Sequence, residues 1–463
     1  MPRVYRISEL IAWSTGMKDY IISFAQAFPN FRVAELESLA DLNGINIDLS
    51  GHDEKKPFMK VQLQDDEQAR RLIKRSILAK GIYELWGEGN DLASLHESIK
   101  ANASEKFETY RHNTFRFDFV SFMGAKTTEE KIETIDTFKY LGFQGKIRLK
   151  NPEVIFSVLE EYYVCGQEKA DKPEHLWFGR QVEISARSEG VVEQYDLKKR
   201  KYIGTTSFDA ELALVTCNIA QVKPGKVIYD PFTGTGSFLV AGAFFGGYPL
   251  GTDIDARSVR GKGPNNNLYS NFRQYGTASQ FLDVWIMDFT NNALRRDFVI
   301  DTIVCDPPYG VREGLKVCGA RDPAKAEGRE HHIVEGELGY KRRDFLFPKK
   351  PYHLANLLDD LLEFAAERMP VGGRLAFWMP TANDEFVEHH IPQHERLELL
   401  YVLEQEFNKW SRRLVVFVKR DENFKGETIN RMRSEGVTHF RDRYFKSFNE
   451  KSKQPSFPVQ GEV

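Results

Sequence analysis

The sequence has little of several features that would define whole classes of protein. It contains four cysteines in 463 residues, Cys165, Cys217, Cys305 and Cys318, with no CxxC pair among them. This argues against a disulfide framework or a zinc site built from this chain alone, and it favours a reducing compartment. No stretch reaches the roughly 18 apolar residues of a membrane-spanning helix, and residues 1–10 resemble neither a secretory signal nor a transit peptide. We therefore expect a cytoplasmic protein without a membrane segment.

An excess of charge of either sign is also missing. There are 64 Lys+Arg against 67 Asp+Glu, a formal net charge of -3. With 41% apolar and 28% charged residues, the chain is too apolar for a disordered protein, and its length predicts two or three domains. A partner attracted by charge must therefore contact a local patch.

The N-terminal part has a mixed α and β pattern. An apolar run at residues 20–28 and an amphipathic pattern that stops at Gly44 predict a strand followed by a helix. We predict an N-terminal α/β segment over residues 1–57, ending in a polar loop, and a second domain over residues 58–195.

Within the second domain, one helix and one strand are well marked. Thr127 and Glu130 have the spacing of a helix capping box, and the helical pattern that follows closes at Gly142. The next run, residues 146–150, alternates basic and apolar residues and predicts a strand.

From about residue 200, strand-like and helix-like patterns alternate. The predicted strands cover residues 227–230, 248–253, 283–288, 298–306, 373–380, 398–407 and 412–419. This alternation predicts a mostly parallel sheet with helices on both faces, and the short turn between the last two strands predicts an antiparallel hairpin. We place this domain at residues 200–425, with an insertion at 311–350, and expect an extension and flexible tail at 426–463.

The first predicted strand of this sheet is followed by a glycine turn. Asp230 ends the strand, and the turn at Gly234 and Gly236 leads into a helix. A nicotinamide site would have a third glycine where Leu239 stands, and it would have no carboxylate beside the pyrophosphate. A carboxylate instead suits a ligand with a positive centre and no phosphate, such as S-adenosylmethionine. A turn that only caps the helix is the alternative interpretation.

Acidic residues also follow the second and third strands. Asp253 directly ends the second strand, where a carboxylate can accept hydrogen bonds from ribose hydroxyls. Asp255 is better placed to cap the next helix. Asp288 follows the third strand and could accept from an adenine amino group. Each acid alone is more often a turn residue, but three acids after successive strands predict a nucleoside site at one edge of the sheet.

The fourth strand is followed by Asp306, Pro307, Pro308 and Tyr309. Two prolines cannot continue a β-ladder, so they predict a rigid turn at the carboxyl edge of the sheet, where open α/β sheets bind ligands. The Asp306 carboxylate and the Pro307 carbonyl would accept both N–H bonds of an exocyclic amine, and the Tyr309 ring would stack on a nucleobase taken out of its own stack.

The sequences DPFTGTGSFLVAGA, GTDID and DPPYG, in this order, resemble those of the S-adenosylmethionine-dependent amino-methyltransferases of nucleobases. Upstream, the strand–helix start at Tyr20 and residues 127–150, 177–187 and 205–220 resemble the THUMP-containing tRNA methyltransferases, in particular those that make N2-methylguanosine at position 10. The resemblance implies an α/β fold: a Rossmann-like seven-stranded methyltransferase sheet preceded by an α+β region with a THUMP-like domain.

The resemblance also implies residue roles and a partner. The cofactor-binding residues would be Asp230, Pro231, Gly234 and Gly236 at the methionine end, Asp253 at the ribose, Asp288 at the adenine, and Ser207 closing over the cofactor. The catalytic residues would be Asp306, Pro307, Pro308 and Tyr309. Eukaryotic members of this family act with a small zinc-binding activator subunit, so a heterodimer is implied, and no metal site is expected in this chain.

Two basic segments are candidates for contact with RNA. Lys139, Lys146, Arg148 and Lys150 lie in a segment without acids and with interleaved aromatic residues, which favours contact with an RNA backbone. The alternative is an exposed strand edge on which lysines discourage aggregation. In the insertion, the basic residues Lys341, Arg342, Arg343, Lys349 and Lys350 could contact phosphate, or they could form a merely solvated loop.

These features predict a tRNA methyltransferase that transfers a methyl group from S-adenosylmethionine to guanine N2. Within the same class, the alternative is an enzyme acting on adenine N6, or on guanine N2 of another RNA or DNA. An alternative of another class is a non-catalytic RNA-binding scaffold, although every expected cofactor acid is present. A nicotinamide oxidoreductase is disfavoured by Leu239 and Asp230.

Overall fold

The structure is a computed structural model. It describes residues 16–162, 172–309, 315–320, 331–342, 348–383, 391–408 and 410–421, with a few positions in the gaps between these ranges. The chain divides into two compact units, residues 1–194 and 195–463. The predicted extension and tail at residues 426–463 lie outside the described residues. Among the described residues, no helix is long and apolar enough to cross a membrane.

The first unit combines strands and helices. Its strands are β1 (Lys18–Phe24), β2 (Phe58–Leu63), β3 (Ala79–Gly89), β4 (Phe115–Phe122), β5 (Val154–Glu161), β6 (Val164–Cys165), β7 (Glu168–Lys169) and β8 (His175–Ile184). Its helices are α1 (Arg32–Asn43), α2 (Asp66–Ile73), α3 (Leu92–Ala103), α4 (Phe107–Tyr110) and α5 (Thr128–Asp136), and α6 (Val191–Tyr195) lies at its end.

Six of these strands form one sheet in the order β2-β1-β3-β8-β5-β4. All neighbouring pairs are antiparallel except β4 and β5, which are parallel. Strand β1 pairs with β2 on one side and with β3 on the other. The sheet therefore joins residues on both sides of position 57, where the sequence pattern suggested a boundary.

Helix α5 begins at the predicted capping box. The Thr127 side chain accepts from the Glu130 N–H at 3.2 Å, and the Glu130 carboxylate accepts from the Thr127 N–H at 2.7 Å. The α-helix ends at Asp136, and a 3-10 turn continues to Gly142, which has φ 68. The predicted end of the helical segment at Gly142 is confirmed, although its last turn is tighter than an α-helix.

The strand predicted at residues 146–150 is reduced to a single bridge beside β4. The Phe115 N–H donates to the Lys146 carbonyl at 3.1 Å, and the Arg148 N–H donates to the Phe115 carbonyl at 2.9 Å. The Leu149 carbonyl accepts from the Arg116 guanidinium at 2.8 Å. The predicted strand is therefore wrong in extent.

The second unit contains a larger sheet, the insertion and the helices that cover them. The strands are β9 (Val227–Asp230), β10 (Tyr248–Asp253), β11 (Asp283–Ile286), β12 (Thr302–Cys305), β13 (Lys316–Cys318), β14 (Ile333–Val334), β15 (Glu337–Leu338), β16 (Lys349–Pro351), β17 (Arg374–Ala382), β18 (Leu397–Glu406) and β19 (Trp410–Lys419). The helices are α7 (Ala210–Ile219), α8 (Ser237–Phe244), α9 (Ala256–Arg260), α10 (Leu268–Gln274) and α11 (Leu354–Arg368).

Seven strands form one sheet in the order β11-β10-β9-β12-β17-β19-β18. The first five are parallel to one another, and β19 is antiparallel to both of its neighbours. This confirms the predicted mostly parallel, seven-stranded sheet with a final antiparallel hairpin. Because parallel strands end at the same edge, the residues that follow β9, β10, β11 and β12 line one side of the sheet.

Apolar packing fixes the sheet that supports this edge. Helix α11 buries leucines at helical spacing, including Leu358, Leu361 and Leu362, in the same core cluster as Ile303 of β12 and Leu375 of β17. Each buried leucine contributes about 1.5–3 kcal/mol relative to an exposed one. The carboxyl ends of the central strands are thus held by a continuous core.

Candidate active site

A glycine turn connects β9 to α8. Gly234 and Gly236 have φ 53 and φ 79, in the left-handed region that favours glycine. A Cβ on Gly236 would lie 2.1 Å from the Leu268 side chain, whereas a Cβ on Gly234 would meet nothing closer than 3.9 Å. Gly236 is therefore required for packing, and Gly234 leaves open space beside the turn.

Asp230, the last residue of β9, is 1% exposed. Its Oδ1 accepts from the Phe232 N–H at 2.9 Å, and among the described residues its Oδ2 has no hydrogen-bond partner. Burial raises the pKa of Asp230 well above its usual range, and the negative charges of Asp253 and Asp306 raise it further. A positive group beside this carboxylate would favour its ionised form.

Asp253 joins the glycine turn to the end of β10. Its Oδ2 accepts from the Gly234 N–H at 2.7 Å, and its Oδ1 accepts from the Asp255 N–H at 2.7 Å. Each oxygen keeps a further lone pair for a ligand hydroxyl. Asp255 instead accepts from the Arg257 N–H at 3.0 Å at the start of α9, which confirms its predicted role as a helix cap.

Asp288 follows β11 and is already surrounded by donors. Its Oδ1 accepts from the N–H and the hydroxyl of Thr290 at 3.0 and 2.9 Å. Its Oδ2 accepts from the Asn291 side-chain amide at 2.9 Å and from the Cys318 N–H at 2.6 Å. Four donors match the acceptor sites of a carboxylate. The predicted bond from Asp288 to an adenine amine stays a prediction, and it requires one of these donors to be exchanged.

The predicted turn after β12 presents a carboxylate with one oxygen available. The Tyr309 hydroxyl donates to Asp306 Oδ1, and among the described residues Oδ2 has no hydrogen-bond partner. Pro307 is buried and Pro308 is exposed. Burial raises the pKa of Asp306 to about 6, against the opposing effects of the Tyr309 hydrogen bond and the positive charge of Arg412. The Asp306 carboxyl is therefore mostly ionised at neutral pH.

Ser207 lies beside the glycine turn. Its hydroxyl is hydrogen-bonded to the hydroxyl of Thr235 at 2.7 Å, and it accepts from the Gly204 N–H at 2.9 Å. The structure thus brings together, at the carboxyl edge of the second sheet, the predicted cofactor residues and the predicted catalytic turn.

The basic segment predicted to contact RNA belongs to the first unit. Lys146, Arg148 and Lys150 are exposed, as are the apolar side chains between them. Lys139 forms an ion pair with Asp136 at 3.1 Å, so part of its charge is locally neutralised. Their contact with RNA stays a prediction.

Arg412 is a site residue that the sequence pattern did not reveal. The register of the sheet pairs it with Pro380, beyond the carboxyl end of β12. Its guanidinium lies 4.3 Å from the Phe208 ring centroid and 5.2 Å from that of Trp378, and it donates to Gln405 Oε1 at 2.9 and 2.6 Å. The only signal in the sequence is an arginine at the start of an apolar strand.

Part of the insertion also reaches the site. Lys349 Nζ donates to the Ile254 carbonyl at 3.2 Å, directly after β10. Arg342 forms an ion pair with Glu335 at 2.5 Å within the insertion, and Arg343 lies outside the described residues. In the parts of the chain that the structure describes, no group of three or more His, Cys, Asp or Glu side chains could hold a metal ion.

Two family models match the chain. Residues 18–187 match the Tmrp11 THUMP N-terminal domain, and residues 198–318 match the RMKL-like methyltransferase domain. Together with the parallel sheet and the aspartate-proline-proline-tyrosine turn, these matches define a THUMP-containing methyltransferase.

Full-length relatives identify the family within that class. The tRNA (guanine(10)-N(2))-methyltransferase of Saccharomyces cerevisiae is 53% identical over 437 residues, covering 94% of this chain and 100% of that protein. The enzyme of the same name from Schizosaccharomyces pombe is 38% identical, covering 87% of this chain and 83% of that protein. Human tRNA (guanine(10)-N(2))-methyltransferase TRMT11 is 35% identical, covering 94% of this chain and 96% of that protein. The chain belongs to the tRNA (guanine(10)-N(2))-methyltransferase family.

Proposed function

We propose that this chain is the catalytic subunit that transfers a methyl group from S-adenosylmethionine to the exocyclic N2 of guanine 10 in tRNA. The observation that carries the proposal is the edge of the second sheet, where carboxylates and a rigid proline turn lie at the carboxyl ends of parallel strands. Asp230 and Asp253 end β9 and β10, and Asp306 follows β12. The identity with tRNA (guanine(10)-N(2))-methyltransferases over most of the chain supports the choice of guanine N2.

The residues at this edge fit S-adenosylmethionine. Asp230 is buried as a residue, and its Oδ2 has no hydrogen-bond partner among the described residues, which suits the positively charged methionine end. Asp253 keeps acceptor positions for ribose hydroxyls, and Gly234 leaves open space beside them. Pro231 and Ser207 complete the proposed cofactor residues. When bound, S-adenosylmethionine supplies an activated methyl group on its sulfonium.

The turn after β12 would hold the target amine. Asp306 Oδ2 can accept one N–H of guanine N2, and the Pro307 carbonyl can accept the other, which favours the pyramidal geometry of a nucleophilic nitrogen. Pro308 keeps the turn rigid, and the Tyr309 ring provides a face for the flipped base. Catalysis by these residues is mainly positioning, since a fixed near-attack geometry lowers the barrier without a covalent intermediate on the chain.

Removal of the exocyclic amine from the target base tests the proposal. An unmodified tRNA transcript with guanine at position 10 should be methylated by the chain together with its activator subunit. A matched transcript with inosine at position 10, which lacks the exocyclic amine, should not be methylated. Nucleoside mass spectrometry should find N2-methylguanosine only with the first transcript. Methylation of the inosine transcript, or methyl groups on adenine N6, would contradict the proposal, and no transfer to either transcript would favour a non-catalytic scaffold.

The ionisation of Asp306 predicts how the rate depends on pH. Because Tyr309 donates to Oδ1, a proton on Oδ2 would remove the acceptor for the amine. The single-turnover rate should therefore fall as the pH is lowered through about 6, the raised pKa of Asp306. The Asp306→Asn variant retains a carbonyl acceptor that does not titrate. It should be slower but should lose this pH dependence, measured in the same assay. An unchanged acid limb in Asp306→Asn would assign the titration to another group.

We also propose that the small zinc-binding activator subunit docks on the free edge of β11. This strand ends the sheet and, among the described residues, pairs only with β10. Leu282, Trp285 and Ile286 at this edge are 47%, 42% and 47% exposed. Apolar side chains beside unpaired backbone groups favour the addition of a partner strand.

A charge placed on this edge should separate the two subunits. The Ile286→Lys variant should lose co-elution with the activator subunit in size-exclusion chromatography, because a lysine would oppose burial of the edge. The matched control is Val371→Lys, which places the same charge at another exposed apolar position of the second unit and should retain co-elution. Equal behaviour of the two variants would contradict docking at β11.

A further inference from the structure

The insertion at residues 311–350 is attached to the second unit by a short two-stranded stem. We define the stem as residues 315–319 and 348–352. Strands β13 and β16 pair in antiparallel fashion, with Cys318 opposite Lys349. The stem was not distinguished in the sequence, where the whole insertion had the composition of a polar loop.

Hydrogen bonds and packing hold both ends of the stem. The Gly319 N–H donates to the Pro348 carbonyl at 2.8 Å, and the Tyr352 N–H donates to the Leu315 carbonyl at 2.9 Å. Leu315 is buried in the core cluster that includes β12 and α11, and Tyr352 packs against the same cluster. The stem is therefore a fixed part of the second unit.

One strand of the stem, β13, contacts Asp288. The Cys318 N–H donates to Asp288 Oδ2 at 2.6 Å. The thiol of Cys318 is partly buried beside the same carboxylate and the Lys349 ammonium. The stem thus fixes the acid that is proposed to face the adenine.

The other strand of the stem, β16, reaches the end of β10. Lys349 Nζ donates to the carbonyl of Ile254, the residue between Asp253 and Asp255. Burial raises the pKa of Asp253 and the charge of Asp255 adds to the rise, whereas the positive charge of Lys349 opposes it. Asp230 also lies near Asp253, and the two carboxylates repel each other. Lys349 is therefore a cation that favours an ionised Asp253.

We propose that the face of the stem that carries Cys318 and Lys349 forms the wall of the cofactor site on its ribose and adenine side, with Lys349 as a positioning residue for the Asp253 carboxylate. The proposal rests on the proposed function, because it assumes that these acids bind S-adenosylmethionine. The stem would then contact the cofactor, whether or not the rest of the insertion contacts RNA.

Neighbouring lysines provide a matched test. Lys350 follows Lys349 on β16, but its side chain runs beside Gly319, and successive strand residues point to opposite faces. Isothermal titration with S-adenosylhomocysteine should compare the wild type with Lys349→Ala, Lys349→Arg and Lys350→Ala, at neutral and mildly acidic pH. Lys349→Ala should weaken binding about two- to fivefold at neutral pH, the size expected for the loss of an exposed cation near a carboxylate, and more at acidic pH. Lys349→Arg and Lys350→Ala should bind like the wild type.

The outcomes separate this inference from the proposed function. Wild-type affinity of Lys349→Ala at both pH values, or an equal loss in Lys349→Ala and Lys350→Ala, would overturn the role of Lys349. Methylation of tRNA by the wild type would in that case leave the proposed function intact. Failure of the wild type to bind S-adenosylhomocysteine would overturn the proposed function, and the role of the stem with it.

Alkylation of Cys318 gives a second readout that needs no variant. S-Adenosylhomocysteine should slow the reaction of this thiol with iodoacetamide severalfold, followed by peptide mass spectrometry, because the ligand would cover the stem. Cys217 and Cys305 are buried and should react slowly with or without ligand. Equal rates for Cys318 in the presence and absence of saturating ligand would overturn the proposal.

Discussion

The carboxylates at one edge of the second sheet, of which Asp230 is fully buried, are the constraint on which the site depends. Asp230 and Asp253 end two strands and Asp306 follows a third, and burial raises the pKa of each. Asp253 and Asp306 also repel Asp230. Fixed acids that the fold itself does not fully neutralise form an environment that favours a cationic ligand. The proposed binding of S-adenosylmethionine follows from this electrostatic arrangement, and the rigid turn after β12 adds the acceptor for the target amine.

The sequence could predict this edge because each acid stands next to its own strand in the sequence. An apolar run followed by an acid recurs along the chain, and parallel strands bring their ends together, so Asp230, Asp253 and Asp306 are placed by strand order alone. What the sequence could not predict depends on distant contacts. Cys318 donates to Asp288 across 30 residues, and Lys349 reaches Ile254 across 95 residues. Such contacts depend on how the insertion folds back, for which hydrophobic periodicity gives no signal.

The near-neutral net charge combines two different electrostatic environments. Asp230, Asp253 and Asp306 lie at one edge of the sheet of the second unit, whereas Lys146, Arg148 and Lys150 of the first unit are exposed. A net charge of -3 averages these two environments and is a poor guide to the nature of the partner. It bears instead on the strength of non-specific RNA binding, which we expect to be weak for the chain alone.

The proton balance of cofactor binding tests the central claim most directly. Titration with S-adenosylmethionine at mildly acidic pH, in two buffers of different ionisation enthalpy, measures the protons exchanged on binding. Because a cation favours ionised carboxylates, the wild type should release protons, and Asp230→Asn should release fewer and bind more weakly. Binding of S-adenosylmethionine without proton release, with the same affinity in Asp230→Asn, would contradict the account.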